Sequence, residues 1–185
     1  MGGMSELDKL HRYSESDRIE IVHEMYVTGA WQAEASEAWR EALLLCWGGR
    51  TGYIHMKNRI GPDNIIKMFS EASFPVPKLA NPVSVFRGGR GEPPFDLAMG
   101  LSWTLDKECA SFFASVYESV SNLGRSGQPL IVEWRVSPDD IIFYSDDRSE
   151  KEVFLRYVPA ESDLLVYDDI NQLKAWGHSY KARTK

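Results

Sequence analysis

The chain changes its hydrophobic period once, and a proline-rich run marks the change. Before "FPVPKLANP" (74–82) the apolar residues recur every three or four positions; after it they alternate. A period near 3.6 and a period of 2 cannot share one element, so helices come first and a sheet second. The run itself stops a helix, because proline lacks an N–H and restricts the residue before it.

In the first part, "SESD" (14–17) forms a capping-box pattern before Ile19, Val22 and Tyr26. Ala35, Ala38, Trp39, Ala42, Leu43, Cys46 and Trp47 then follow at helical spacing, and Gly48 and Gly49 are expected to end that helix in a left-handed cap. Gly61-Pro62 opens another helix, with Ile65, Ile66 and Phe69 inward. In the second part, 83–87 is a short apolar strand. Leu130, Val132, Trp134 and Val136 alternate with Ile131, Glu133 and Arg135. Strands are also expected at 140–144, 152–157 and 164–167. One helix interrupts them, with Cys109, Phe113, Val116 and Tyr117 buried and Asp106 or Thr104 as its cap. The class is α+β, with a mostly antiparallel sheet structure. The expected organisation is a helical region over 1–80 packed on the core, a core over 81–176, and a loose basic tail over 177–185. With 185 residues, 43% hydrophobic and 26% charged, these form one compact domain overall.

The same composition narrows the function. No apolar run approaches the ~20 residues that cross a membrane, and "MGGMSELDKLHRYSESDR" lacks the apolar stretch of a secretion signal, so the expected location is cytoplasmic. A net charge of −6 disfavours nucleic acid as a partner without excluding a local basic groove. Cys46 and Cys109 make no disulfide framework. The four histidines, His11, His23, His55 and His178, show no ligand spacing, so no metal is expected.

Three short runs carry the chemistry. In "VFRGGRG" (85–91) a strand delivers Arg87, whose planar fork suits a diphosphate, and Gly88 and Gly89 let a ligand approach the backbone. The same run also fits a strand end and a surface arginine. In "GLSWTLD" (100–106) Ser102 and Thr104 share one face and Trp103 takes the other, as in any half-buried strand. In "SEKEVFL" (149–155) Glu150 and Glu152 flank Lys151. On a continuous strand both carboxylates face the same way and repel, so each calls for a cationic or hydrogen-bonding partner. A solvated, charged sheet edge gives the same pattern.

Taken in order, Arg at a strand end, Ser-x-Thr and Glu-x-Glu resemble the Arg-Ser-Glu class of mono-ADP-ribosyltransferases, the clade related to cholera-type and clostridial toxins. The resemblance covers roughly 83–167. It implies a two-sheet, NAD-binding core with NAD as co-substrate. It assigns Arg87 to the diphosphate or the adjoining ribose, with Gly88 beside it. Ser102 positions the catalytic Glu152 and Thr104 supports the nicotinamide-side pocket, while Trp103 either flanks nicotinamide as a cofactor-binding residue or packs in the core. Glu150 engages the acceptor, and Tyr144 and Arg148 belong to the segment that meets it. The family's usual Ser-Thr-Ser reads Ser102-Trp103-Thr104 here. A Glu-x-Glu pair implies a protein arginine as acceptor, with a nucleic-acid base, as in phage or toxin–antitoxin members, as the alternative. An inhibitory or antitoxin protein would then be an expected partner. Water as acceptor, giving an NAD glycohydrolase, and a non-catalytic binding module are the remaining readings.

Overall fold

The computed structural model describes residues 7–48, 52–117 and 127–184. These divide into two compact units, Met1–Phe74 and Pro75–Lys185, where one domain was expected.

The first unit is helical: α1 (Glu15–Thr28), α2 (Ser36–Trp47), α3 (Gly52–Arg59) and α4 (Pro62–Ala72). Ser14 caps α1 as its spacing foretold, its hydroxyl accepting from the Asp17 N–H at 3.3 Å. Gly29, at φ 76, closes α1 in the left-handed conformation that a side chain resists. Gly61 caps α4, with Pro62 at its first position. The end of α2 departs from expectation. Gly48 is right-handed at φ −75 and simply continues the turn, donating to the Leu44 carbonyl at 2.8 Å; Gly49 lies outside the described residues. Apolar helix faces meet in a core built around Trp39, Leu43, Met56, Ile65 and Phe69.

The second unit is a six-stranded sheet in the order β4-β5-β2-β1-β3-β6, every pairing antiparallel. The strands are β1 (Val83–Arg90), β2 (Ser102–Thr104), β3 (Pro129–Val136), β4 (Ile141–Ser145), β5 (Glu152–Leu155) and β6 (Leu165–Tyr167). The described strands thus make one open sheet and not the expected two, because β5 pairs with both β2 and β4 and joins the halves. Strand alternation gives the sheet two apolar faces. One carries Val85, Trp103, Val132 and Val153, and is covered by α5 (Pro94–Ala98) through Leu97 and Ala98. Val76 and Leu79 of the proline-rich run pack here too, so the run belongs to the sheet unit, and the boundary falls after 74 instead of 80. The other face carries Phe86 and Ile131. It is covered by α6 (Lys107–Ser111), which widens into a π-helical turn over Phe112–Tyr117, and by α7 (Ile170–Arg183).

That last helix corrects the expected loose tail over 177–185. Leu173, Gly177 and Tyr180 recur at helical spacing and are buried, and Asp169 caps the helix by accepting from the N–H groups of Asn171 and Gln172. The abundance of basic residues had masked a stripe one residue wide.

Candidate functional site

Register brings the motif residues together. Thr104 lies opposite Glu152 across the β2–β5 pair and opposite Phe86 across the β1–β2 pair. Ser102, two residues from Thr104, therefore shares a sheet face with Glu152. The Ser102 hydroxyl donates to Glu152 Oε1 at 2.5 Å. The bond orients both side chains toward each other.

Arg87 meets the backbone of Ser102 from the other face of the sheet. Phe86 opposes Thr104, so the pleat sends Arg87 the opposite way. Its guanidinium lies against the Gly100 backbone, where an added Cβ would overlap it, and its Nη1 donates to the Ser102 carbonyl. One residue, Ser102, thus links the arginine through its carbonyl to the glutamate through its hydroxyl. This works because β2 only begins at Ser102, so the arginine meets irregular backbone there.

Glu150 is not on a strand, which corrects the continuous alternation expected through 150–156. It closes a 3₁₀ turn (Asp147–Ser149), and β5 starts at Glu152. Ser149 and Lys151 on either side are left-handed, at φ 58 and φ 47. Each such non-glycine residue costs about 1–2 kcal/mol, so surrounding contacts must hold the turn. Two are visible. The Thr104 hydroxyl donates to the Glu150 carbonyl at 2.5 Å, and the Leu105 N–H donates to the Lys151 carbonyl at 3.1 Å. Thr104 is buried and also accepts from the Asp106 N–H at 3.0 Å, so its role is to fasten the Glu-x-Glu turn to β2.

The remaining motif residues do not join this group. Trp103 is 3% exposed, packs 6.2 Å from Trp134, and gives its indole N–H to the Gly100 carbonyl. It is a core residue on the sheet face that Arg87 shares. Gly88 is needed for a reason other than a ligand: a Cβ there would stand 2.0 Å from the Ala110 carbonyl oxygen, so the bare backbone admits α6. Tyr144 pairs with Val153 and packs against the Trp103 side of the sheet. Its phenol is raised by burial and then by Asp146. The backbone of Arg148 lies in the 3₁₀ turn, and its side chain lies outside the described residues.

Further residues complete the surroundings, among them the expected cap Asp106 and one that the sequence reading passed over, Tyr180. Asp106 caps α6, accepting from Glu108 N–H (2.9 Å) and Cys109 N–H (3.2 Å), and pairs with Arg183. The Tyr180 hydroxyl donates to the Ser149 carbonyl at 3.3 Å. Burial pushes the Cys109 thiol up to about 12, with Glu150 and Asp106 adding to burial and hydrogen bonding with Tyr180 and Thr104 opposing it. Tyr180 is raised by its own burial and then by the acidic groups around it, so it stays a donor at neutral pH. Helical spacing from Leu173 to Tyr180 was the available signal for this residue. Among the described residues, no group of His, Cys, Asp and Glu side chains could hold a metal ion, and no helix is long and apolar enough to cross a membrane. No family model matches the sequence, and no curated protein or solved structure matches it.

Proposed function

We propose that this chain is a mono-ADP-ribosyltransferase that moves ADP-ribose from NAD to a macromolecular acceptor, with a protein arginine as the expected target, and releases nicotinamide. The observation that carries the reading is the 2.5 Å bond from Ser102 to Glu152, with Arg87 held on the same serine. Cleaving the nicotinamide–ribose bond develops positive charge on the sugar, as glycoside hydrolysis does. An ionised carboxylate beside the sugar stabilises that charge, and preorientation by a serine removes the need to reorganise it during reaction. Glu152 is half-buried and so oriented.

Glu150 takes the second part of the displacement. Its turn is fastened to β2 only one residue from Glu152, so it accepts the proton that an arriving nucleophile loses. The residues fit this NAD chemistry unevenly. The carboxylate–hydroxyl pair suits the ribose end. Arg87, half-buried over Gly100, is the fork that this reading assigns to the diphosphate. Trp103 packs in the core and Gly88 admits α6, so both already serve the fold. Their internal use favours the non-catalytic module as the second reading.

Incubation with NAD labelled in both halves tests the proposal. Wild type should release nicotinamide, and Glu152→Gln should slow release on the order of 10²-fold. Glu150→Ala should abolish transfer to protein while leaving hydrolysis. Absence of NAD binding and turnover in the wild type would leave the module.

A further inference from the structure

The last helix does more than cover the sheet. α7 crosses the π-helical turn at Gly177, where an added Cβ would stand 2.8 Å from a Val116 methyl and 3.0 Å from the Phe112 Cα. That close crossing sets the reach of the following turn. Three residues on, the Tyr180 ring packs 5.3 Å from Phe112 and its hydroxyl donates to the Ser149 carbonyl. Three residues further, Arg183 lies over the Tyr180 ring at 5.5 Å and pairs with Asp106 and, at 3.2 Å, with Glu108. Ser179 adds a hydrogen bond to Glu108 at 3.1 Å. The end of α7 is therefore tied on one side to the Glu150 turn and on the other to the segment that follows Thr104.

We propose that the last turn of α7 is a strap that holds the Ser149–Lys151 turn in its strained form, with Tyr180 as the positioning residue and Arg183 locking it. The requirement is physical. Two left-handed residues make the turn costly; Thr104 holds the Glu150 carbonyl and the Leu105 N–H holds that of Lys151, while Tyr180 supplies the grip on Ser149 at the other end. Its consequence for chemistry, presentation of Glu150 to an acceptor, rests on the transferase reading. Loss of the strap should therefore impair transfer to the acceptor more than cleavage of NAD, since Ser102 and Glu152 are held independently of it.

Amide hydrogen exchange on the full chain tests the strap without reference to activity. The N–H groups of Ser149 and Glu150 are bonded within the turn, to the Asp146 and Asp147 carbonyls, and report its opening. Tyr180→Phe keeps the ring on Phe112 and loses only the hydroxyl. It should speed exchange at these two amides about fivefold to tenfold and lower the ratio of ADP-ribose transfer to NAD hydrolysis. Arg183→Met, at a mostly exposed position, should do the same more weakly, with rescue by Arg183→Lys, and stands in should Tyr180→Phe fold poorly. Unchanged exchange in a folded variant overturns the strap whatever the activity. A wild type that releases no nicotinamide overturns the transferase reading alone, and exchange still decides the strap.

Discussion

Gly88→Ala separates the two roles a glycine can play beside Arg87. The added Cβ would stand 2.0 Å from the Ala110 carbonyl oxygen, 2.8 Å from its carbon and 3.1 Å from the Ala114 Cβ. Non-bonded heavy atoms need more than about 3 Å, and the obstacle is helix backbone, which cannot rotate aside. α6 must withdraw from β1. Overpacking of this kind costs about 1–3 kcal/mol, and a backbone obstacle puts the cost at the upper end. Alanine recovers about 0.5–1 kcal/mol through its lower chain entropy in the unfolded state. The net loss is about 2–2.5 kcal/mol, which lowers Tm by roughly 8–15 °C for a unit of this size. Gly89→Ala is the control, because its Cβ would meet only a Leu97 methyl at 2.6 Å, the end of a side chain that can shift; it should cost no more than about 1 kcal/mol. Thermal and urea unfolding followed by circular dichroism measure both. A Gly88→Ala protein that unfolds with wild type, or after Gly89→Ala, would refute the packing argument and return Gly88 to a role at a ligand.

Two further outcomes follow from buried groups. Glu133 is 6% exposed; burial raises its carboxyl, but hydrogen bonds from Tyr167 (2.5 Å) and Ser84 (2.7 Å) and the Lys107 ammonium (3.5 Å) outweigh this and lower it. A lowered carboxyl contributes stability above its unfolded pKa and loses it as pH falls, so Glu133→Gln should cost about 1–3 kcal/mol at pH 7, with the gap to wild type closing below about pH 4 in urea titrations. Cys46 and Cys109 are both buried, and burial pushes each thiol up to about 12. Neither should react with a thiol reagent at pH 8 until the chain unfolds, and fast labelling of the native protein would contradict their placement.

The sequence showed periods better than partners. The alternation from Leu130 to Val136 reappears as β3, and the spacing around Trp39 reappears as the face of α2, because period is a local property. Which strands pair is not local. β5 pairs with both β2 and β4, which unites the sheet, and nothing in "EVFL" names those neighbours. The Ser102–Glu152 meeting followed from register, whereas the turn at Glu150 was hidden because a left-handed Lys151 has no side-chain signature. The packing partners of Gly88 and Trp103 were illegible for one shared reason: a missing Cβ and a large ring state that something lies close, and not what.

The most direct test of the carboxylate–serine site is a double-mutant cycle on nicotinamide release, comparing wild type, Ser102→Ala, Glu152→Gln and the double variant. If Ser102 acts by orienting Glu152, removing it once the carboxylate is gone should change the rate little, so the double variant should match Glu152→Gln. Independent, additive losses would contradict that coupling, and a wild type that leaves NAD intact would contradict the site itself.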